Sequence, residues 1–161
     1  MPTLIDRISA NGFVPEQPLM LRETISVKEK GKKYTLTLKP EKECVAYHVD
    51  GTILKDGNRC DKLIVARYAD HTEAAVFVEL KGRNISHAID QLEATLKQDI
   101  FKHKNVAKRK ACIVGQSIPR NTGNSVVEKA KIRFDKIYNN TYRRPMLVAY
   151  YFKATSKNST F

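Results

Sequence analysis

At 161 residues the chain has room for one domain with a central sheet and its own core. Its 29 Lys and Arg outnumber its 17 Asp and Glu, for a net charge of +12. That surplus points to a polyanionic partner, nucleic acid before an anionic membrane, against the plainer reading that lysine serves solubility alone. No run approaches the roughly 18 apolar residues of a membrane span. Met1–Arg7 has no basic leader followed by an apolar core, so no secretory signal is expected. Cys44, Cys60 and Cys112 form no CxxC pair, which argues against zinc and for buried free thiols in a reducing cytoplasm.

Taken in chain order, Thr3 caps a short helix with Leu4, Ile5 and Ile8 on one face, and Gly12 ends it. Pro15 and Pro18 keep the next stretch open. Residues 21–28 and 33–38 read as a hairpin turning at Lys30-Gly31-Lys32, with Tyr34, Leu36 and Leu38 alternating with Thr35 and Thr37. Its lysines, Lys28, Lys30, Lys32 and Lys33, either lie along a phosphate backbone or protect a solvated edge strand. Cys44–Leu54 predicts a strand interrupted at Asp50-Gly51, and Asp56-Gly57-Asn58 a turn. Two apolar runs follow, Cys60–Tyr68 and Glu73–Lys81, joined through Asp70-His71-Thr72. Their unbroken apolar character predicts central strands covered on both faces.

Gly82-Arg83-Asn84 releases the chain into a helix with Ser86 as N-cap and Ile85, Ile89, Leu92 and Leu96 at helical spacing. His87, Gln91 and Thr95 form a polar stripe beside that face. The segment Lys102–Lys110 has five Lys or Arg and no acid, and reads as a basic loop feeding the strand Ala111–Val114, closed by Gly115. Residues 118–124 form a loop in which Arg120 is a candidate phosphate ligand. Ser125 and Glu128 predict a capping box for a helix striped by Val127, Ala130, Phe134 and Ile137. Arg143-Arg144-Pro145 precedes a last strand, Met146–Phe152, and the polar tail 153–161 is expected to fray. With no repeat or linker in view, the whole chain, 1–161, reads as a single α/β domain, its core at about 43–152: a central mixed sheet flanked by helices.

The chemistry concentrates in Asp61, Glu79 and Lys81. Glu79 and Lys81 are two apart and share a strand face, and Asp61 opens the preceding strand. If the two strands pair, two carboxylates and an ammonium converge at one sheet end, a set suited to metal-assisted phosphodiester hydrolysis. The structural alternative is a surface ion pair between Glu79 and Lys81. No HxH or HExxH spacing links His48, His71, His87 and His103, and neither a Walker motif nor a GxSxG elbow is present.

Asp61, seventeen residues, then Glu79-Leu80-Lys81 resembles the PD-(D/E)xK nuclease superfamily of restriction endonucleases and Holliday-junction resolvases. Two departures stand out: Cys60 replaces the motif's proline, and the upstream acid has no single counterpart. The resemblance implies a restriction-endonuclease-like fold and a Mg²⁺- or Mn²⁺-dependent DNA endonuclease. Asp61, Glu79 and the Leu80 carbonyl would hold the metal, and Lys81 would orient the attacking water. Glu43 or Asp50 would supply a third acid, with Glu23 an outside choice. Gln91 would reach the metal or a phosphate, or else be an exposed polar residue of an amphipathic helix. Lys102, Lys104, Lys108, Arg109 and Arg120 would meet DNA, and a homodimer would suit cutting of both strands. The alternative function is a catalytically silent, nuclease-like DNA-binding subunit of a restriction, defence or repair assembly.

Overall fold

Alternation of apolar side chains decides which faces this chain must cover, and two separate clusters do so on either side of one sheet. The computed structural model describes residues 2–80, 84–115, 126–138, 147–151 and 159–160. In chain order these give α1 (Leu4–Ala10), β1 (Gln17–Glu29), β2 (Lys32–His48), β3 (Lys62–Arg67), β4 (Glu73–Leu80), α2 (Ile85–Leu96), β5 (Val106–Gly115), α3 (Val126–Tyr138), β6 (Leu147–Tyr151) and β7 (Ser159–Thr160). A 3₁₀ turn, Asp99–Phe101, lies between α2 and β5. The sheet runs β1-β2-β3-β4-β5-β6, with β7 added beside β2. Strands β1 to β4 pair antiparallel, while β4, β5 and β6 pair parallel. The predicted α/β domain with a mixed sheet is therefore present.

Odd-numbered residues of the central strands face the helices. Val45, Tyr47, Leu63, Val65, Ala75, Phe77, Ala111 and Ile113 pack with Leu4 and Ile8 of α1, Leu92 and Leu96 of α2, and Ala130 and Phe134 of α3. Phe77 meets Phe101 edge-on, with ring centroids 5.4 Å apart. Each fully buried Val, Leu, Ile or Phe of this set contributes roughly 1.5–3 kcal/mol.

Even-numbered residues face the other way, and among the described residues no helix side chain joins the cluster they form. The β1–β2 hairpin folds back across this face, placing Ile25, Val27, Tyr34, Leu36 and Leu38 on Ile64, Val76, Val78 and Cys112. Residues 33–38 and Cys44–His48 thus belong to one strand, β2, instead of two. Its amino half pairs with the end of β1 and its carboxyl half with both β1 and β3.

Several local expectations hold. Thr3 caps α1 in a capping box with Asp6, Gly12 follows at φ +83°, and all three cysteines are free and buried. Others change. Pro18 lies inside β1. Asn84, not Ser86, caps α2, its Oδ1 accepting from the His87 amide at 3.0 Å. Residues 106–110 belong to β5, because backbone pairing with β4 carries the strand beyond the apolar core. Ile137 leaves the α3 stripe and is 58 % exposed. Ser159–Thr160 of the expected frayed tail pair with Leu36–Thr37. Lys81, Gly82-Arg83, residues 118–124 with Arg120, Ser125 and Arg143-Arg144-Pro145 lie outside the described residues. No helix among the described residues is long and apolar enough to cross a membrane.

Candidate functional site

The pairing of β3 with β4 brings Asp61 and Glu79 together. Lys62 opposite Val78 is the last rung, and Asp61 lies just beyond it, beside the Glu79–Leu80 end of β4. The Asp61 amide donates to the Val78 carbonyl at 3.2 Å, and Asp61 Oδ2 accepts from the Leu80 amide at 2.8 Å. Glu79 continues the odd-numbered, helix-facing row beyond Phe77. Asp61 is partly exposed, whereas Glu79 is only 1 % exposed. They lie at the carboxyl end of β4, where β4 and β5 run parallel, the edge at which open α/β sheets usually bind ligands.

Helix α2 fixes the approach to Asp61. Thr95 Oγ1 accepts from the Cys60 amide at 2.8 Å and donates to the Gln91 carbonyl at 2.8 Å. Gln91 Nε2 donates to the Arg59 carbonyl at 3.0 Å. Gln91 thus grips, through Nε2, the backbone just before Asp61. Thr95 shares that task, and its place four residues along the same polar stripe is the signal that finds it. Cys60, in the motif's proline position, is fully buried, its Sγ donating to the Lys62 carbonyl at 3.6 Å. Desolvation raises its thiol pKa, and the neighbouring carboxylates of Glu79 and then Asp61 raise it further, so it stays neutral.

The proposed third acids do not join the pair. Glu43 stands opposite Arg67 at the far end of β3, roughly 20 Å from Asp61 at the strand rise. It meets Arg67 Nη1 at 3.7 Å. This overturns its place as a ligand, because β2 runs antiparallel to β3 and carries Glu43 away. Asp50 lies at the correct end but is paired with Arg59 Nε at 2.5 Å. Glu23, on the β1 edge strand, is exposed. No group of three or more His, Cys, Asp or Glu among the described residues could hold a metal. What remains is Asp61, Glu79 and the adjacent Leu80 backbone. Two carboxylates are what Mg²⁺ commonly takes from a protein, with water and phosphate completing the octahedron. The donor chemistry fits a hard divalent cation on that footing.

The basic residues assigned to DNA also move. Lys108 pairs with Ala74, so it lies at the amino end of β5, roughly 17 Å along the strands from the Glu79 rung. Lys102 and Lys104 precede that strand and are exposed, Lys102 pairing with Asp99 at 3.2 Å. Lys108 and Lys42 both approach the Tyr68 ring, at 5.4 and 5.5 Å from its centroid. Arg109 is half-buried on the helix side, and desolvation lowers its pKa. These cations sit at the sheet end opposite the acid pair.

Lys62 was missing from the sequence reading. It directly follows Asp61 but points to the hairpin face and is 1 % exposed. Its Nζ lies 2.7 Å from Glu16 Oε1, 3.2 Å from His48 Nδ1 and 3.6 Å from Glu29 Oε2. A charge heading an apolar strand was the available signal. Comparison with protein-family models, with curated proteins and with solved structures finds no match to this chain.

Proposed function

We propose that the chain is a metal-dependent endonuclease acting on DNA, with a restriction-endonuclease-like core. The observation that carries this reading is the placement of Asp61 against the Glu79–Leu80 end of the adjacent central strand, its Oδ2 accepting from the Leu80 amide. Two carboxylates near one strand end favour a bound cation over mutual repulsion, which gives the pair a purpose. The order β3, β4, α2, β5, with a parallel β4–β5 pair, also supports it.

Asp61, Glu79 and the Leu80 carbonyl would hold Mg²⁺ or Mn²⁺. When bound, such an ion lowers the pKa of its water and offsets phosphate charge. The chain itself would do the rest. Gln91 and Thr95 hold the Arg59–Cys60 backbone and thereby aim Asp61. Buried neutral Cys60 keeps water from the inner side of the pair. Lys81, next but one to Glu79, is assigned to orienting the attacking water and steadying charge on the phosphorane.

A silent DNA-binding subunit is the second reading, and the lack of a third acid beside Asp61 and Glu79 among the described residues favours it. Supercoiled plasmid incubated in Mg²⁺, Mn²⁺ or EDTA separates the two. The nuclease reading expects metal-dependent nicking that falls roughly a thousandfold in Asp61→Asn and Lys81→Ala, a loss of about 4 kcal/mol of transition-state stabilisation. Plasmid left intact while DNA binding persists would establish the silent subunit.

A further inference from the structure

The β1–β2 hairpin tip returns to the end of the sheet that holds Asp61 and Glu79. Glu29, the last residue of β1, reaches Nζ of Lys62 at 3.6 Å, and Lys62 is the residue after Asp61. Glu16, from the segment before β1, meets the same ammonium at 2.7 Å. A buried lysine therefore pins the tip over this edge from the hairpin face of the sheet, while Glu79 lies on the helix face.

The tip's remaining charges are all positive. Lys28 stands directly opposite Lys33, and Glu29 opposite Lys32. Lys28, Lys30 and Lys33 are exposed, and among the described residues no carboxylate forms an ion pair with them or with Lys32. The one acid of the tip is drawn away to Lys62. Two features count against a purely structural role. Like charges directly across an antiparallel pair are unfavourable. Lys30 also occupies the left-handed region at φ +48° beside Gly31 at +77°, a turn in which asparagine or glycine sits more easily. No large apolar side chain is exposed between residues 28 and 33, so the tip lacks what a membrane surface would take in.

We infer that Lys28, Lys30, Lys32 and Lys33 form the phosphate-gripping arm of the Asp61–Glu79 site, binding the sugar-phosphate backbone of a nucleic acid. In naming nucleic acid as the substrate class, the inference rests on the proposed function. It moves the principal nucleic-acid contact from the Lys102–Lys110 segment, at the opposite sheet end, to the hairpin.

The test uses the full chain and fluorescein-labelled oligonucleotides, single-stranded and duplex, with anisotropy read in EDTA so that no cleavage intervenes. Two variants of matched charge are compared: Lys28→Gln/Lys30→Gln/Lys33→Gln and Lys102→Gln/Lys104→Gln/Lys108→Gln. The tip variant should lose roughly tenfold or more in affinity near physiological salt. Its slope of log affinity against log salt should shrink by about 0.9 for each duplex phosphate contact removed, and by about 0.7 on the single strand. The second variant should change less than about threefold. Equal losses in both, a greater loss in the second, or wild-type binding to anionic vesicles but to neither oligonucleotide would each overturn the inference. Circular dichroism checks that both variants are folded. If the tip grips DNA and no cleavage occurs with Mg²⁺, the nuclease reading fails and the arm stands. If the tip variant binds and cuts like wild type, the arm fails and the nuclease reading stands.

Discussion

Strand β4 carries a buried glutamate near each end of the same face, and the surroundings treat them differently. Glu73 is fully buried yet answered from several sides. Its Oε2 accepts from the Leu4 amide at 2.7 Å, Oε1 from the Ile5 amide at 3.5 Å, and Arg67 Nη2 lies 3.6 Å away. It ties the first turn of α1 to the sheet, where a carboxylate also meets the positive pole of the helix. Glu79 is buried to the same degree, and Asp61 Oδ2 meets the backbone just beyond it, at the Leu80 amide. One end spends its charge on holding the fold. The other brings a second carboxylate, Asp61, near Glu79 at the carboxyl end of β4, the edge to which the proposed function assigns the metal.

The largest expected effect that would break this comparison is on stability. Glu73→Ala should cost about 3 kcal/mol in urea unfolding, because it orphans buried amides and removes one of the two carboxylate partners of Arg67. Glu79→Gln should cost less than about 1 kcal/mol, since it keeps the side chain's shape and removes one of two neighbouring carboxylates. Equal losses at the two positions would mean that both ends of β4 are structural.

A smaller effect sharpens the Glu73 end. Thr3→Ala should cost about 1 kcal/mol by removing the α1 cap. Its box partner, Asp6, is held below the usual carboxylate range chiefly by the Thr3 amide, so its contribution is full above the ordinary value of 3.8. That contribution disappears as pH falls through the depressed value. Acid titration of Asp6→Asn against wild type should therefore show the two curves converging only at low pH. The smallest effect lies at the tip: Lys30→Asn should raise stability by about 0.5–1 kcal/mol in thermal unfolding, as the left-handed turn position is relieved.

Legibility in the sequence follows the same division. Asp61 and Glu79 were readable because a two-residue period and two apolar runs make strand neighbours the natural pairing. The capping box of α1 was partly readable: Thr3 stood out, while Asp6 as its partner did not. Register was not readable, and that is why Glu43 was assigned to the wrong end: local pattern does not say how a strand is aligned along its neighbour. The fold-over of the hairpin was hidden for a related reason. Tyr34, Leu36 and Leu38 announce a buried face, but nothing local names the Val76–Val78 surface that buries it. Glu73 and Lys62 each head an apolar run and look alike in sequence, yet only tertiary partners reveal that one caps a helix and the other pins the hairpin. The Lys102–Lys110 segment read as a loop because its cations hide a strand that backbone pairing sustains.

The most direct test of the central claim is a Mn²⁺ titration followed by the electron paramagnetic resonance signal of the free ion. Wild type, Asp61→Asn, Glu79→Gln and Glu73→Gln would be run side by side. The account predicts about one bound ion per chain, in keeping with a two-carboxylate site. Affinity should fall roughly a hundredfold in Asp61→Asn and Glu79→Gln and stay unchanged in folded Glu73→Gln. Mn²⁺ binding that survives Glu79→Gln intact, or that wild type never shows, would contradict it.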